Sequence, residues 1–531
     1  MLTTAIEKYL RTKTMILPLK SKISIILLLF LTIYGFLVRI YHLDIPSFWI
    51  DEAISANAAV ALINHGTPAF PSGFVYMRGI LNTFFISLSF LIFGISEFSA
   101  RFPSVIFGTL TIPLVYIMGV KFGNRRIGLI AALLITFSVM EIAWSRQARM
   151  YQQLQFFYLL SLYFFFEFNF YNQERKNTSK RILNFSLSVL FFISAVLSHV
   201  FGYVLILIFP PFFLIANFKE IRHKWKDFVY MKYYIRLFIF IVVLILLFLK
   251  FLGSDFLAVI ASISKDSWLA SVEYFDVYFN ILNTELSFLT YLSIFGAVLS
   301  LCKNRMSGLL LITAFAIPFY ILSYYVPLPG TRYLYFIFPI LLIFCSYFFD
   351  FLFGLTQKYR ENKAAKTGST LGAIVITLLL IVTAFSQHIF IITPEDNFNL
   401  GVNAPQADFK KAYGYVRENM QVNDILIDSR PAVSLFYMGR SDYWLAFEAN
   451  GVGLGIDDLL VNNGSNEIYA NAKVIKNVDM LQEVVTKNDR GWIVMDNSAW
   501  ILIPSDIKAY IIGEMQRKVF DGRIRIYSWG I

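Results

Sequence analysis

The chain has 531 residues, of which 57% are hydrophobic and 15% are charged, and its mean hydropathy is +0.62. Soluble domains average about 25% charged residues, so the composition excludes an ordinary soluble protein and indicates a polytopic membrane protein. The formal net charge of +11 does not indicate a nucleic-acid partner, because the basic residues cluster in short loops that set membrane topology. Cys302 and Cys345 lie within or at the end of apolar segments, which favours neither a disulfide framework nor a metal site.

The first apolar segment, residues 23–41, carries a single charge, that of Arg39. As a helix it is long enough to cross a hydrocarbon core of roughly 30 Å. Basic residues precede it and no small-residue cleavage site follows, which is typical of an uncleaved signal-anchor. We therefore predict an integral protein of the cytoplasmic membrane whose N-terminus lies in the cytoplasm.

The basic loops decide which later segments cross. The loop at 121–126 lies in the cytoplasm, as the positive-inside rule favours, only if one of the two apolar segments before it is a span. We assign that span to 103–120 and predict that 79–95 lies along the outer surface as an interfacial helix. The remaining spans, which put every dense basic loop on one side, are 127–144, 154–171, 183–199, 201–217, 235–252, 286–301, 308–325, 333–349 and 370–392. The sequence thus predicts about eleven transmembrane helices plus a juxtamembrane helix.

Two domains follow from this topology. Residues 1–393 would form the transmembrane domain, in which 45–102 is an external loop with juxtamembrane helices. Residues 394–531 would form an extracytoplasmic α/β domain, because short apolar runs alternate there with amphipathic stretches. Within it the predicted elements are helices at 409–420 and 504–514, strands at 424–428 and 491–496, and a hairpin at 519–527.

Pairs of arginine and tyrosine mark the outer face. Arg149 and Tyr151 follow the third span, and Arg332 and Tyr333 begin a later one, where Arg332 opposes the positive-inside rule. Guanidinium groups match the oxygens of a phosphate in a bidentate manner, so these positions suit an anionic lipid headgroup. Interfacial anchoring is the alternative reading for Arg149 and Tyr151, and a structural role is the alternative for His199 at the outer end of its span.

A pair of carboxylates, Asp51 and Glu52, lies just beyond the first span. Carboxylates near lipid are costly and favour a functional site over an ordinary acidic loop. A carboxylate beside arginines suits one reaction class, in which it accepts a proton from an acceptor hydroxyl or amine while arginine neutralises a departing phosphate. The sequence lacks a nucleotide-binding glycine-rich loop, so the donor would be a sugar carried on a lipid phosphate.

Several short runs form a recognisable set: Trp49–Ala53, Glu97–Ser104, Gly108–Tyr116, Phe122–Gly123, Ser145–Tyr151, Ser198–His199 and Arg332–Tyr333. In these runs the chain resembles the GT-C membrane glycosyltransferases, in the branch called glycosyltransferase family 39. That branch includes protein O-mannosyltransferases and lipid A aminoarabinose transferases. The resemblance extends over the membrane region to about residue 350, and the Asp-Glu pair together with the Arg-Phe-Pro run is more specific than either alone.

The resemblance implies roles for individual residues. Asp51 would be the catalytic base, and Glu52 would orient it or contact the acceptor. Arg149 and Arg332 would bind the donor phosphate, with Tyr151 beside the first and Tyr333 beside the second.

One position departs from the family pattern, because Gln147 stands where many relatives carry an acid. A second acid would then come from Glu141 or be absent, and His199 and Arg101 are further supporting candidates. This departure leaves the need for a divalent metal open. The expected partners are membrane lipid, a polyprenyl-phosphate sugar as co-substrate, and an acceptor that is a lipid, a glycan or a protein.

Two other functions remain as alternatives. A transporter or a flippase for lipid-linked sugars would also be polytopic, but such proteins often show internal repeats and charges at mid-membrane. In this chain we find no repeat, and the notable charges lie at the ends of spans. A polymerase or ligase of surface glycans would use a pyrophosphate-linked donor, and the Trp-Trp-Asp signature of oligosaccharyltransferases is absent from the sequence.

Overall fold

The computed structural model describes residues 19–170, 178–224, 273–326, 329–360, 366–386, 407–447, 456–518 and 523–531. In these residues a bundle of helices is followed by a mixed β-sheet with its own helices. The predicted span at 235–252 lies outside the described residues.

The helices of the bundle follow one another with short connections. Their bounds in the first half are α1 (Leu19–Ile40), α2 (Ile50–His65), α3 (Ile80–Phe93), α4 (Glu97–Phe122), α5 (Arg125–Phe137), α6 (Val139–Trp144), α7 (Tyr151–Phe170), α8 (Thr178–Ser198) and α9 (Leu205–Lys224). Those in the second half are α10 (Phe275–Leu286), α11 (Phe288–Lys303), α12 (Arg305–Tyr325), α13 (Thr331–Leu334), α14 (Phe338–Arg360) and α15 (Lys366–Ser386).

Membrane spans are recognisable by length and composition. Among the described residues, six helices are long and apolar enough to cross a membrane, and the bent pair Phe275–Thr284 and Phe288–Lys303 would make a seventh. The predicted span at 127–144 is instead divided at Ser138, whose side chain caps α6. The predicted interfacial segment contains α3, a shorter apolar helix. The number of eleven spans therefore remains a prediction.

Close helix contacts depend on glycine. A Cβ at Gly119 in α4 would lie 2.6 Å from the Cα of Gly128 in α5, and one at Gly296 in α11 would lie 1.8 Å from the carbonyl oxygen of Phe344 in α14. Small residues let membrane helices approach closely enough for backbone contact. The residue type at these crossings therefore fixes which helices are neighbours.

One end of the bundle is held by an ionic cluster around Asp350 in α14. The Asp350 carboxylate accepts hydrogen bonds from Asn124 (3.1 Å), Arg126 (3.3 Å) and Lys303. These residues come from the predicted cytoplasmic loops at 121–126 and near 303. The structure thus gathers them at a single end of the helices.

The C-terminal residues form an eight-stranded sheet in the order β3-β4-β5-β2-β1-β6-β8-β7. The strands are β1 (Ile425–Asp428), β2 (Tyr443–Leu445), β3 (Leu460–Val461), β4 (Asn466–Glu467), β5 (Lys473–Ile475), β6 (Gly491–Asp496), β7 (Gln516–Lys518) and β8 (Ile524–Trp529). Strands β5, β2, β1 and β6 are parallel, and β8 and β7 continue the sheet in antiparallel fashion. The helices beside it are α16 (Phe409–Asn419), α17 (Pro431–Met438), α18 (Val478–Lys487), α19 (Asn497–Leu502) and α20 (Ser505–Glu514).

The local predictions for this part hold where the residues are described. The two predicted helices correspond to α16 and α20, and the two predicted strands to β1 and β6. The predicted hairpin at 519–527 overlaps β8, which pairs with β7, but β7 ends at Lys518, before the predicted start, and residues 519–522 lie outside the described residues. The division of the chain at residue 393 remains a prediction.

The C-terminal sheet packs directly onto the loop that follows α1. Phe48 and Ala53 share one apolar core with Phe409 and Val494. The Ser47 hydroxyl donates to the carbonyl of Ala407 at 2.9 Å. This contact places the sheet at the end of the bundle that carries Asp51.

Candidate active site

Asp51 lies in the first turn of α2, where its side chain is 25% exposed. One of its oxygens, Oδ2, lies 3.4 Å from Nη2 of Arg149 and 3.2 Å from Nη1 of Arg332. These arginines come from parts of the chain far apart in sequence. The structure thus brings together the acid and both arginines that the sequence argument selected.

Arg149 is buried and is held in place by several hydrogen bonds. Its side chain is 2% exposed, and Nη1 donates to the backbone oxygen of Asp51 (2.8 Å), to Ser55 Oγ (2.9 Å) and to the Tyr76 hydroxyl (3.4 Å). Burial lowers the pKa of Arg149, but the Asp51 carboxylate together with Tyr76 and Tyr151 outweighs burial, and the pKa lies well above its ordinary value. Arg149 is therefore a fixed positive charge.

Aromatic rings pack against the two guanidinium groups. The Arg149 guanidinium lies 5.8 Å from the centre of the Tyr151 ring, and that of Arg332 lies 4.9 Å from the Tyr333 ring. His199 completes this aromatic wall, with its ring 5.4 Å from Tyr151 and 6.3 Å from Tyr333. The five predicted positions are therefore neighbours in space.

One ring nitrogen of His199 can donate a hydrogen bond to a ligand. His199 Nδ1 accepts a hydrogen bond from the backbone N–H of Phe201 at 3.2 Å, so the neutral ring carries its proton on Nε2. Within the described residues, Nε2 has no hydrogen-bond partner.

Arg78 is a further cationic residue that the sequence argument did not select. Its side chain is exposed to solvent, yet its electrostatic neighbours are Tyr151, Tyr76 and Arg149. Arg78 therefore adds positive charge beside these residues while it stays accessible to solvent. The available signal was its position, because an arginine in a predicted outer loop opposes the positive-inside rule as Arg332 does.

Glu52, next to Asp51, has quite different surroundings. It is 2% exposed, and its two oxygens accept from Nε (2.8 Å) and Nη2 (2.7 Å) of Arg101. The backbone N–H of Ala148 also donates to Glu52 at 2.8 Å. These contacts tie α2 to α4 and to the loop at 145–150, and they favour a positioning role for Glu52 and Arg101 over a contact with the acceptor.

The other arginine of the 145–150 loop also serves the fold. Arg146 Nη1 donates to the carbonyl oxygens of Arg39 (2.9 Å) and Tyr41 (2.5 Å) at the C-terminal end of α1. It therefore satisfies backbone groups that a helix end leaves open.

Glu141, the candidate second acid, is 1% exposed. Its described hydrogen-bond partners are Gln155 and Tyr335. In the described part of the chain, no group of three His, Cys, Asp or Glu side chains is arranged to hold a metal ion.

Comparison with known proteins identifies the architecture. Residues 78–249 match the sequence profile of a family described as dolichyl-phosphate-mannose-protein mannosyltransferase. The chain superposes on ArnT from Cupriavidus metallidurans, solved with bound undecaprenyl phosphate, with a TM-score of 0.61 and 12% identity over 95% of this chain and 97% of that one. The chain has the GT-C fold of membrane glycosyltransferases.

A second GT-C structure shows the same architecture. The archaeal oligosaccharyltransferase AglB from Archaeoglobus fulgidus, in complex with an inhibitory peptide and a dolichol-phosphate, superposes with a TM-score of 0.56 and 13% identity over 94% of this chain and 73% of that one. The fold together with the family match indicates a glycosyltransferase, so the fold type and enzyme class predicted from the sequence are confirmed.

One curated relative is similar in sequence over a shorter stretch. It is an uncharacterized protein of Aquifex aeolicus (strain VF5), 27% identical over 133 residues, which make up 24% of this chain and 27% of that protein. The matched part thus spans about a quarter of that relative's length.

Proposed function

We propose that this GT-C protein is an inverting glycosyltransferase that moves a sugar from a polyprenyl-phosphate carrier to an acceptor at the extracytoplasmic face of the membrane. The observation that carries the proposal is the position of the Asp51 carboxylate between Arg149 and Arg332. A proton acceptor and two phosphate-binding groups thereby share one site.

The charge of the site suits a lipid phosphate. Arg149 and Arg332 lie beside the Asp51 carboxylate, and Arg78 is an electrostatic neighbour of Arg149, so positive charge is in excess among these groups. Guanidinium groups favour phosphate oxygens, and ArnT, which shares the fold, has been solved with undecaprenyl phosphate. Arg332 and Arg78 would meet the phosphate directly, since both are partly or fully exposed, whereas the buried Arg149 would supply fixed charge.

Donor binding would also release the base. In the structure Oδ2 of Asp51 interacts with both arginines. A phosphate that takes over the exposed donor of Arg332 would make the carboxylate available to accept a proton. The two substrates would therefore prepare the site in sequence, with the donor before the acceptor.

The proposed reaction is a single displacement at the anomeric carbon of the donor sugar. The acceptor oxygen or nitrogen attacks the anomeric carbon and transfers its proton to Asp51. The bond between that carbon and the phosphate oxygen breaks on the opposite face, which inverts the configuration. The lipid phosphate leaves with the electron pair, and Arg149 and Arg332 stabilise its negative charge.

The ionic cluster around Asp350 in α14 supports an extracytoplasmic position for the site. Arg332 and Asp350 are separated by eighteen residues of mostly helical chain, or roughly 27 Å at 1.5 Å per residue. This distance is close to the thickness of a hydrocarbon core. With Lys303 and Arg126 in the cytoplasm by the positive-inside rule, Asp51 would face the opposite side.

The test is transfer by the full chain in lipid, with a polyprenyl-phosphate sugar as donor. Asp51→Asn is expected to lower kcat by about 10²- to 10⁴-fold, the usual contribution of a general base. Binding of the lipid phosphate should persist, because all three arginines remain. Asp44→Asn, at an exposed position of the same loop, is the matched control.

Two outcomes would refute the proposal. Full activity of Asp51→Asn would remove Asp51 as the base. Movement of the lipid-linked sugar across proteoliposomes, with no transfer to any acceptor, would instead indicate a flippase.

A further inference from the structure

A closed set of hydrogen bonds lies among buried residues beside the arginine-bearing loop. Its members are Glu141 in α6, Gln152 and Gln155 in α7, and Tyr335, which follows α13. All four are at most 1% exposed. None of them takes part in the proton transfer or the phosphate contacts proposed above.

The orientation of the two glutamines is fixed by groups that can only accept. Gln155 Nε2 donates to the backbone carbonyl of Tyr335 at 2.9 Å, so its Oε1 faces Gln152. Gln152 must then present Nε2, which donates to Gln155 Oε1 at 3.0 Å and to Thr111 Oγ1 at 3.2 Å. The Thr111 hydroxyl agrees with this direction, since its own hydrogen goes to the carbonyl of Phe107 at 2.8 Å.

This orientation decides where the tyrosine proton goes. Gln152 Oε1 faces the Tyr335 hydroxyl and accepts its only hydrogen. Glu141 Oε2 lies 2.9 Å from the same hydroxyl oxygen, and a hydrogen bond there needs a proton from the glutamate. Glu141 Oε1 meanwhile accepts from Gln155 Nε2 at 3.0 Å.

The geometry points to Glu141 as a neutral carboxylic acid that closes a ring of donors, running from Glu141 to Tyr335, Gln152, Gln155 and back to Glu141. Arg39 is a charged neighbour of Glu141, and its two Nη atoms donate to the carbonyls of Gly35 (3.0 Å) and Ile135 (3.3 Å). Every polar atom named in the ring thus has a partner without a charge on Glu141, as a buried network requires.

The ring joins the two segments that carry the phosphate-binding arginines. Glu141 precedes the loop with Arg149, and Gln152 follows it, so the ring holds both ends of that loop. Tyr335 lies three residues after Arg332 and holds the second segment to the first. The ring therefore sets the spacing of Arg149 and Arg332, and Tyr335 and Glu141 are positioning residues. This role rests on the proposed function.

The variant Glu141→Gln tests whether Glu141 positions other residues or transfers a proton in the reaction. The amide of the new glutamine would donate to Tyr335 and accept from Gln155, so the ring stays closed. KM for the lipid-linked donor, kcat and the pH profile of transfer should each stay within about twofold of wild type. A loss of about 100-fold or more, the scale of a lost acid or base, would overturn the inference.

Tyr335→Phe tests the ring itself. The variant keeps the aromatic side chain but loses the hydroxyl that joins Glu141 to Gln152. Loss of a buried hydrogen bond costs about 1–3 kcal/mol, which corresponds to roughly 5- to 150-fold in binding. KM for the donor and the dissociation constant for sugar-free polyprenyl phosphate should rise by that range, with a smaller change in kcat. Wild-type values for both would overturn the positioning role. If this variant does not fold, Glu141→Gln still decides.

Infrared spectroscopy of the full chain gives a readout that needs no turnover. The difference spectrum of wild type minus Glu141→Gln should show the carbonyl band of one protonated carboxylic acid, since the band of any other protonated acid, such as Asp428, cancels. Absence of that band from the difference spectrum would overturn the neutral state of Glu141. If no variant or wild type transfers sugar, the proposed function fails, while the infrared result still decides the ring.

Discussion

Asp51 and Glu52 are neighbours in the sequence, yet they belong to two different regions of the molecule. Asp51 is 25% exposed and faces Arg332, which is itself 20% exposed. Glu52 is 2% exposed and is paired with Arg101, which is 4% exposed. Successive residues of a helix point about 100° apart, so one turn of α2 supplies both an open site and a buried support.

The difference shows what separates a reactive ion pair from a structural one. Around Asp51 the arginines keep donors that a phosphate can take. Around Glu52 every donor of Arg101 is used, because the N–H groups that do not bind Glu52 bind the carbonyls of Leu43 (2.9 Å), Pro46 (2.8 Å) and Ser47 (3.2 Å). Access to a ligand, and not the presence of charge, distinguishes the site.

The largest expected effect comes from breaking the buried pair. Glu52→Ala leaves the Arg101 charge buried without its partner, which should cost about 3–5 kcal/mol of stability. The apparent melting temperature of the detergent-solubilised protein measures this loss of stability. Asp51→Ala should lower the melting temperature far less, since Arg149 keeps its other partners. Equal destabilisation by the two variants would contradict the comparison.

The two arginines of the open site should differ from each other. Arg332→Ala and Arg149→Ala should each lower transfer by about 10²- to 10³-fold, as loss of an electrostatic stabiliser does. Only Arg149→Ala should also lower the melting temperature, because Arg149 binds Ser55 and the Asp51 backbone. Steady-state kinetics and thermal unfolding measure both effects, and Arg417→Ala, at an exposed position, is the control. Unchanged transfer in Arg332→Ala would remove it from the phosphate site.

A third carboxylate, that of Asp428 in the sheet, differs from Asp51 and Glu52 because its neighbours are hydroxyl groups and not arginines. It accepts a hydrogen bond from Tyr413 at 2.6 Å, and burial raises its pKa to about 7. Its unfolded pKa is about 3.9, so its contribution to stability is complete below about pH 4 and is lost as the pH rises toward 7.

Asp428→Asn should remove that loss, which amounts to about 4 kcal/mol above pH 7. Melting temperatures between pH 4 and pH 9 should therefore fall less steeply for the variant than for wild type. Parallel curves would show that Asp428 does not titrate in this range.

The smallest expected effect concerns the Tyr76 hydroxyl, which lies 3.4 Å from Arg149. Tyr76→Phe should cost about 1 kcal/mol or less, a change of up to about fivefold in donor KM. A loss as large as that of Arg149→Ala would mean that Tyr76 itself contacts the substrate.

Much of the site could be predicted from the sequence because charge at a membrane exit is rare. Asp51, Arg149 and Arg332 each stood out on that ground, and the structure places them within one site. In the sequence only the family resemblance separated Arg149 from Arg146, and the fold shows what Arg146 does, because it donates to backbone carbonyls at the end of α1. Arg78 was missed because no motif surrounds it.

The fold shows the same division. Long apolar runs predicted the long helices, and short apolar runs bounded by turn residues predicted β1 and β6. The break at Ser138 and the sheet order depend on contacts between distant residues, which a local pattern does not contain.

The packing of the C-terminal sheet onto the loop that follows α1 affects how the protein folds during synthesis. The hydrogen bond from Ser47 to Ala407 joins residues 360 positions apart. At roughly 5–20 residues per second, a ribosome would need about 20–70 seconds to supply the second partner. Phe48 thus stays without its cover while the intervening helices are inserted, and a prematurely terminated chain would leave that surface to chaperones and proteases.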